Sequence, residues 1–161
     1  MMKRLMIIVD LMSLYQTVAD HVKEAMKQGD ILRRDTLRML QSAIKNVAIE
    51  KRVRPEEFTD AQVEEVIRRL VKQRKDSIEQ YTTGGRTDLV EKESAELNLL
   101  STYLPQAMPE EELRSLVAGV LNETGISAKA EMGQAMGAVM KKVSGRASGD
   151  DVRKVVESLL K

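Results

Sequence analysis

The stretch YLPQAMPEEEL, residues 103–113, limits the fold more than any other part of the chain. Pro105 and Pro109 lie four residues apart. Each lacks a backbone N–H and crowds the turn before it, so no helix runs through the pair. Pro109 suits a first helical position, and Glu110, Glu111 and Glu112 place negative charge where a helix dipole favours it. A boundary is expected here, between an N-terminal domain over 13–104 and a small C-terminal domain over 105–161.

Both sides of the break carry period-3.6 patterning, with no sustained alternation. Ser13 and Gln16 fit a capping box, and Val18, Val22 and Met26 give one face up to Gly29. Asp30 can cap a second helix with a face of Leu37, Leu40, Ile44 and Val47, closed by Pro55. Thr59 and Gln62 make the clearest capping box, with Phe58 and Val63 in the staple positions. That face continues through Val66, Ile67, Leu70, Ile78 and Tyr81 to Gly84–Gly85. A fourth helix is predicted over 88–103, with Leu89, Leu97, Leu100 and Leu104 apolar. Past the prolines come three short helices, 109–124, 128–143 and 150–160, with stops at Gly125 and Gly145 and caps at Ser127 and Ser148. The fold class is therefore all-α: a domain of about four helices, then a three-helix domain. A segment of about 55 residues buries proportionately little surface, so such a module is expected to dock on something.

Composition narrows the chemistry. The chain lacks cysteine, which removes disulfides, thiolate metal sites and thiol catalysis and suits a reducing cytosol. A cytoplasmic protein is the expectation. The net charge of +1 hides local polarity. Residues 1–55 carry 11 Lys/Arg against 6 Asp/Glu, residues 56–104 carry 7 against 11, and residues 105–161 carry 8 against 8. The mild basic excess at the front permits contact with nucleic acid without requiring it. Residues 1–12, MMKRLMIIVDLM, read as an extension or as a lead-in amphipathic helix. The run Leu5–Val9 is too short for a signal-peptide core, and Asp10 interrupts it. No run approaches transmembrane length, and no membrane contact is expected.

Catalytic groups are scarce. His21 is the sole histidine and has no metal-ligand partner at i±4, so a structural residue is the simpler reading. Glu91, Glu93 and Glu96 read as a solvated helix face, with Lys92 beside them, ahead of a catalytic carboxylate pair. Arg68, Arg69, Lys72, Arg74 and Lys75 are interleaved with acids at helical spacing, as in Glu64–Arg68, which ordinary helix stabilisation explains. No phosphate-cradling glycine loop is present; Gly84–Gly85–Arg86 is followed by no Lys-Ser/Thr. No catalytic residue, metal site or cofactor is assigned.

The stretch MGQAMGAVMKKVSGRASGDDV, residues 132–152, is different. Met132, Met136, Val139, Met140 and Val143 fall within an arc of roughly 100° and read as a core face. Gly133 and Gly137 flank it, each costing about 1 kcal/mol against alanine in a helix interior. Two close approaches would justify that cost: a neighbouring helix, which is favoured, or a phosphate backbone. Lys141, Lys142 and Arg146 ring the helix end and the Gly145 turn, where they can complement the dipole or meet phosphates.

These residues resemble the GatB/YqeY family. MGQAMGAVMKKVSGRASGDDVRKVVESLL is similar to that family's closing segment, which includes the tail domain of the GatB component of the aspartyl/glutamyl-tRNA amidotransferase. LRMLQSAIKNVAIEK (37–51), KQRKDSIEQYTTGGRTDLVEKESAEL (72–97) and LSTYLP (100–105) follow the order of the free-standing members. The resemblance implies an all-helical two-part fold and an association with tRNA, and with aminoacyl-tRNA synthetase or amidotransferase components. It carries the label of carbon–nitrogen ligase with glutamine as amido-nitrogen donor, although the matching part lacks a phosphate-binding loop or a plausible nucleophile. The implied reading is a non-catalytic tRNA-binding module. Lys141, Lys142, Arg146, Arg153 and Lys154 would meet phosphates, and Gly133, Gly137 and Gly145 would allow close approach. The competing reading is a protein-interaction adaptor whose glycine-flanked stripe receives a partner helix.

Overall fold

The computed structural model describes residues 12–161, so the expectation for the leading segment lies, for residues 1–11, outside the described residues. The described residues form seven α-helices and two single 3₁₀ turns, with no strand. The all-α expectation holds. The chain divides into two compact units, one ending at Tyr103 and the other spanning Leu104–Lys161.

The first unit contains α1 (Leu14–Gln28), α2 (Ile31–Lys51), α3 (Asp60–Thr83) and α4 (Thr87–Ser101). Its helix starts follow local chemistry. Ser13 Oγ accepts from the Gln16 N–H, Asp30 Oδ1 from the Arg33 N–H, and Thr59 with Gln62 closes both halves of a capping box. Each such cap contributes about 1 kcal/mol by satisfying an orphan helix donor. Asp60, the first residue of α3, also accepts from the Leu14 N–H at 2.7 Å, which ties α3 to the start of α1. Leu37, Leu40, Ile44, Ile67 and Leu100 are completely buried with Val18 and Val63. Burying a leucine or isoleucine contributes about 1.5–3 kcal/mol, so these side chains outweigh the caps.

Two core assignments shift by one residue. Ala25 is buried while Met26 is 59% exposed, and Ala48 is buried while Val47 is half-buried. In each case the buried line of the helix runs through the alanine next to the expected residue. The Glu91–Glu96 reading also needs correcting. Glu93 and Glu96 are not solvated: both reach Arg74 Nε, at 3.2 and 2.8 Å, with all three side chains less than 20% exposed. Arg74 lies 22 residues before Glu96, so the triad is tertiary and local spacing cannot reveal it.

The second unit contains α5 (Glu110–Thr124), α6 (Met132–Val143) and α7 (Gly149–Leu159). Its core is wholly apolar: Leu113, Val117, Val120 and Leu121 from α5, Ala135, Val139 and Val143 from α6, and Val152, Val155 and Val156 from α7, joined by Ile126 and Leu160. Two clasps hold the loops. The Lys161 N–H donates to the Ser127 carbonyl at 2.9 Å, and the Met108 N–H donates to the Arg146 carbonyl at 2.7 Å.

A candidate binding surface on the second unit

The glycine-bearing helix α6 starts later than its sequence suggests. Ser127 caps nothing with its side chain; instead the Glu131 carboxylate accepts from the backbone N–H groups of Ser127 and Ala128 at 3.4 and 3.3 Å. This holds Lys129–Glu131 as a 3₁₀ turn, and α6 begins at Met132. Gly133 therefore sits in the first turn, where its helix penalty is small. Gly137 stays in the interior, at about 1 kcal/mol against alanine.

The buried line of α6 is Ala135, Val139 and Val143. Met132 and Met136 pack at its margin, and Met140 is 38% exposed. The methionine stripe thus forms the edge of the core rather than its centre, because the tight trio of short helices accepts alanine and valine at closest approach. The favoured explanation for the glycines fails within the described residues. A Cβ built on Gly133 or Gly137 meets nothing within 4 Å, and both are exposed. Neither serves helix–helix packing inside the unit.

Gly133, Gly137 and Lys141 follow one another at intervals of four, so they form one exposed row, rising about 6 Å per step. Bare backbone occupies two-thirds of the row, and an ammonium group stands at its end. Lys141 forms no salt bridge among the described residues, and nor do Arg153 and Lys154 on α7. Lys142 and Arg146 are engaged. Lys142 Nζ meets Glu123 at 2.7 Å. Arg146 grips both Glu112 oxygens, at 2.7 and 3.2 Å, and donates to the Gln106 carbonyl at 3.3 Å. Sequence reading missed these partners because Glu112 lies 34 residues and Glu123 lies 19 residues from the cation each one meets. Both pairs are solvent-exposed, worth about 0–1 kcal/mol, and open to exchange for another anion. The turn after α6 places Ser144 and Gly145 in left-handed conformation, φ 50° and 77°, which aims Arg146 back toward α5.

His21 belongs to the first unit and has a structural partner: its Nδ1 lies 2.6 Å from the Tyr103 hydroxyl. Burial pushes the Tyr103 phenol above its ordinary value, while neighbouring Arg33 opposes that shift. Among the described residues no group of three or more His, Cys, Asp or Glu side chains could hold a metal ion.

These features define an all-helical two-unit chain whose smaller unit presents a bare helical row edged by cations. It belongs to the family of Yqey-like proteins, whose pattern matches residues 15–160. Several similar proteins are each named Altered inheritance of mitochondria protein 41, mitochondrial. The one from Lachancea thermotolerans is 36% identical over 104 residues, 63% of this chain and 54% of that protein. The one from Vanderwaltozyma polyspora is 42% identical over 94 residues, 56% of this chain and 49% of that protein. The one from Pyrenophora tritici-repentis is 34% identical over 130 residues, 78% of this chain and 68% of that protein. The chain spans about half the length of the first two. The expectation of a cytoplasmic protein is overturned by these relatives, which carry mitochondrial names.

Proposed function

We propose that the chain is a non-catalytic, tRNA-binding module that works beside tRNA amidotransferase or aminoacyl-tRNA synthetase components. The observation that carries this reading is the row Gly133–Gly137–Lys141, a strip of helix surface left bare although no described part of the chain fills it. A phosphodiester backbone can lie against such a strip without meeting side chains, and Lys141 then neutralises a phosphate at its end. Arg153 and Lys154 supply further charge outside any salt bridge among the described residues. Lys142 and Arg146 join by trading exposed carboxylates for phosphates, so their pairing lowers the starting affinity. The family relation supports the reading, because the similar tail domain of the amidotransferase meets the body of tRNA. Recognition is by shape and backbone, since the unit offers no aromatic platform for bases.

The test is binding of total tRNA across a salt titration. Affinity should fall linearly on logarithmic axes, with a slope of roughly −0.7 to −0.9 per phosphate neutralised. Gly137→Ala should weaken binding while stabilising the protein, a combination that a purely internal role for the glycine does not produce. Absence of tRNA binding at low salt overturns the reading. A second reading, a docking site for a partner helix, is favoured by one observation: Met140 stands 38% exposed beside the glycine row. Recovery of a protein partner after nuclease treatment, lost in Met140→Glu, would select it.

A further inference from the structure

The outward face of α2 carries a pattern unrelated to the glycine row. Ile31, Arg38, Lys45 and Arg52 recur at intervals of seven, and Ser42 and Ile49 stand four beyond Arg38 and Lys45. All six are exposed. Arg52 is the left-handed C-cap just past the helix end, φ 56°; the other five share an arc of about 60° on a helix of 3.6 residues per turn, clear of the arc of Leu37, Leu40, Ile44 and Ala48, which face the core. Arg38 and Lys45 stand about 10 Å apart along the axis, and Arg52 follows seven residues on in the sequence. Arg38, Lys45 and Arg52 form no salt bridge among the described residues. Asp35, held by Arg34 at 2.7 Å, also feels the charge of Arg38, and Glu50 is exposed near the helix end.

Apolar side chains bracket these charges. Ile49 is 73% exposed and Val53, past the helix end, 41%; Ile31 is 63% at the other end, where Leu32, about 100° round the helix, is 41% and Met26 of α1 is 59% exposed. Among the described residues, these five and Met140 make up the exposed large hydrophobic side chains. Ile31 and Ile49 are 18 residues apart, about five full turns, so both point the same way. A phosphodiester backbone would satisfy the cations and leave the hydrophobic groups in water. An acidic helix would meet the charges but has no use for isoleucines some 27 Å apart. An anionic lipid surface accepts both: headgroup phosphates meet Arg38, Lys45 and Arg52, and the flanking side chains enter the acyl boundary.

We infer that the first unit lies on anionic lipid surfaces through the outward face of α2. Contact is peripheral, since none of the described helices is long and apolar enough to cross a membrane. It revises the expectation of no membrane contact, which rested on the lack of a spanning run. The surface is distinct from the α6 row, so either can fail without the other.

The test is co-sedimentation of the full chain with vesicles of phosphatidylcholine containing about a third phosphatidylglycerol, against pure phosphatidylcholine vesicles. The protein should bind the mixed vesicles at low salt and leave the neutral ones. The variant R38E/K45E/R52E should lose about 100-fold or more in partitioning. The variant I31S/I49S should lose about tenfold or more, with tRNA binding unchanged. All these residues are exposed, so helical content by circular dichroism should match the parent protein. The inference is overturned if the mixed vesicles are not bound, or if binding is indifferent to both variants. It is equally overturned if the charge reversal abolishes tRNA binding while vesicles are ignored, which would make the face a polyanion site.

Discussion

The two units are built to different tolerances. The first has helices of 15 to 24 residues and accommodates half-buried polar groups: the Arg74–Glu93–Glu96 triad and the His21–Tyr103 bond. The second has helices of 11 to 15 residues, a core of twelve apolar side chains, and charges at its surface. The difference follows from size. A short unit has little spare hydrophobic free energy, so an imperfectly solvated charge would consume much of its stability. Its cations are therefore left at the rim: Lys142 and Arg146 in exposed ion pairs, Lys141, Arg153 and Lys154 outside any salt bridge among the described residues.

The comparison breaks most easily in the small core. Leu113→Ala should cost about 2–5 kcal/mol, as much as a core of this size supplies, and unfold the second unit alone. Denaturation followed by limited proteolysis should then show an intact first unit. Loss of both units together would mean that they share one cooperative core. Next comes Arg74→Met, which strands two half-buried carboxylates and should destabilise the first unit by roughly 2–4 kcal/mol, below the fully buried limit because the group is slightly wet. An equal loss in the second unit would contradict its independence.

Gly137→Ala should raise the stability of the second unit by about 1 kcal/mol, because the added methyl meets open space. A loss of stability by urea titration would show that the row is already occupied. Glu112→Gln and Glu123→Gln release Arg146 and Lys142, should change stability by no more than about 1 kcal/mol, and should steepen the salt dependence of tRNA binding by about one phosphate each. An unchanged slope would remove these two cations from the binding surface. The smallest effect concerns Tyr103. Its folded phenol titrates above the ordinary 10.0, so the fold favours the neutral form. The associated stability is complete below pH 10.0 and is lost as pH rises through the folded value. Tyr103→Phe should flatten that alkaline decline in the first unit, and an identical decline in the variant would assign it elsewhere.

Helix starts were legible wherever a cap bonds within its own turn, as at Ser13, Asp30, Thr59 and Ser148. The start of α6 was not, because Glu131 reaches back over the turn and displaces Ser127 from the capping role. The methionine stripe misled for a related reason. Periodicity names an apolar arc, but which part of it lies closest to the neighbours depends on how near the other helices come. The α2 stripe is present in the sequence as an interval of seven, yet a cationic face stands out only once the opposite side of the helix is seen to be buried.

The sequence by itself determined the all-α class, the family and most caps, because these depend on interactions within a few residues and on a period of 3.6. Tertiary structure alone decided that Gly133 and Gly137 face open space, that Glu112 and Glu123 occupy two of the cations, and that Arg74 sits between two glutamates. Each of those outcomes depends on groups 19 to 34 residues apart, or on the absence of a neighbour among the described residues, and chain order encodes neither distance nor vacancy.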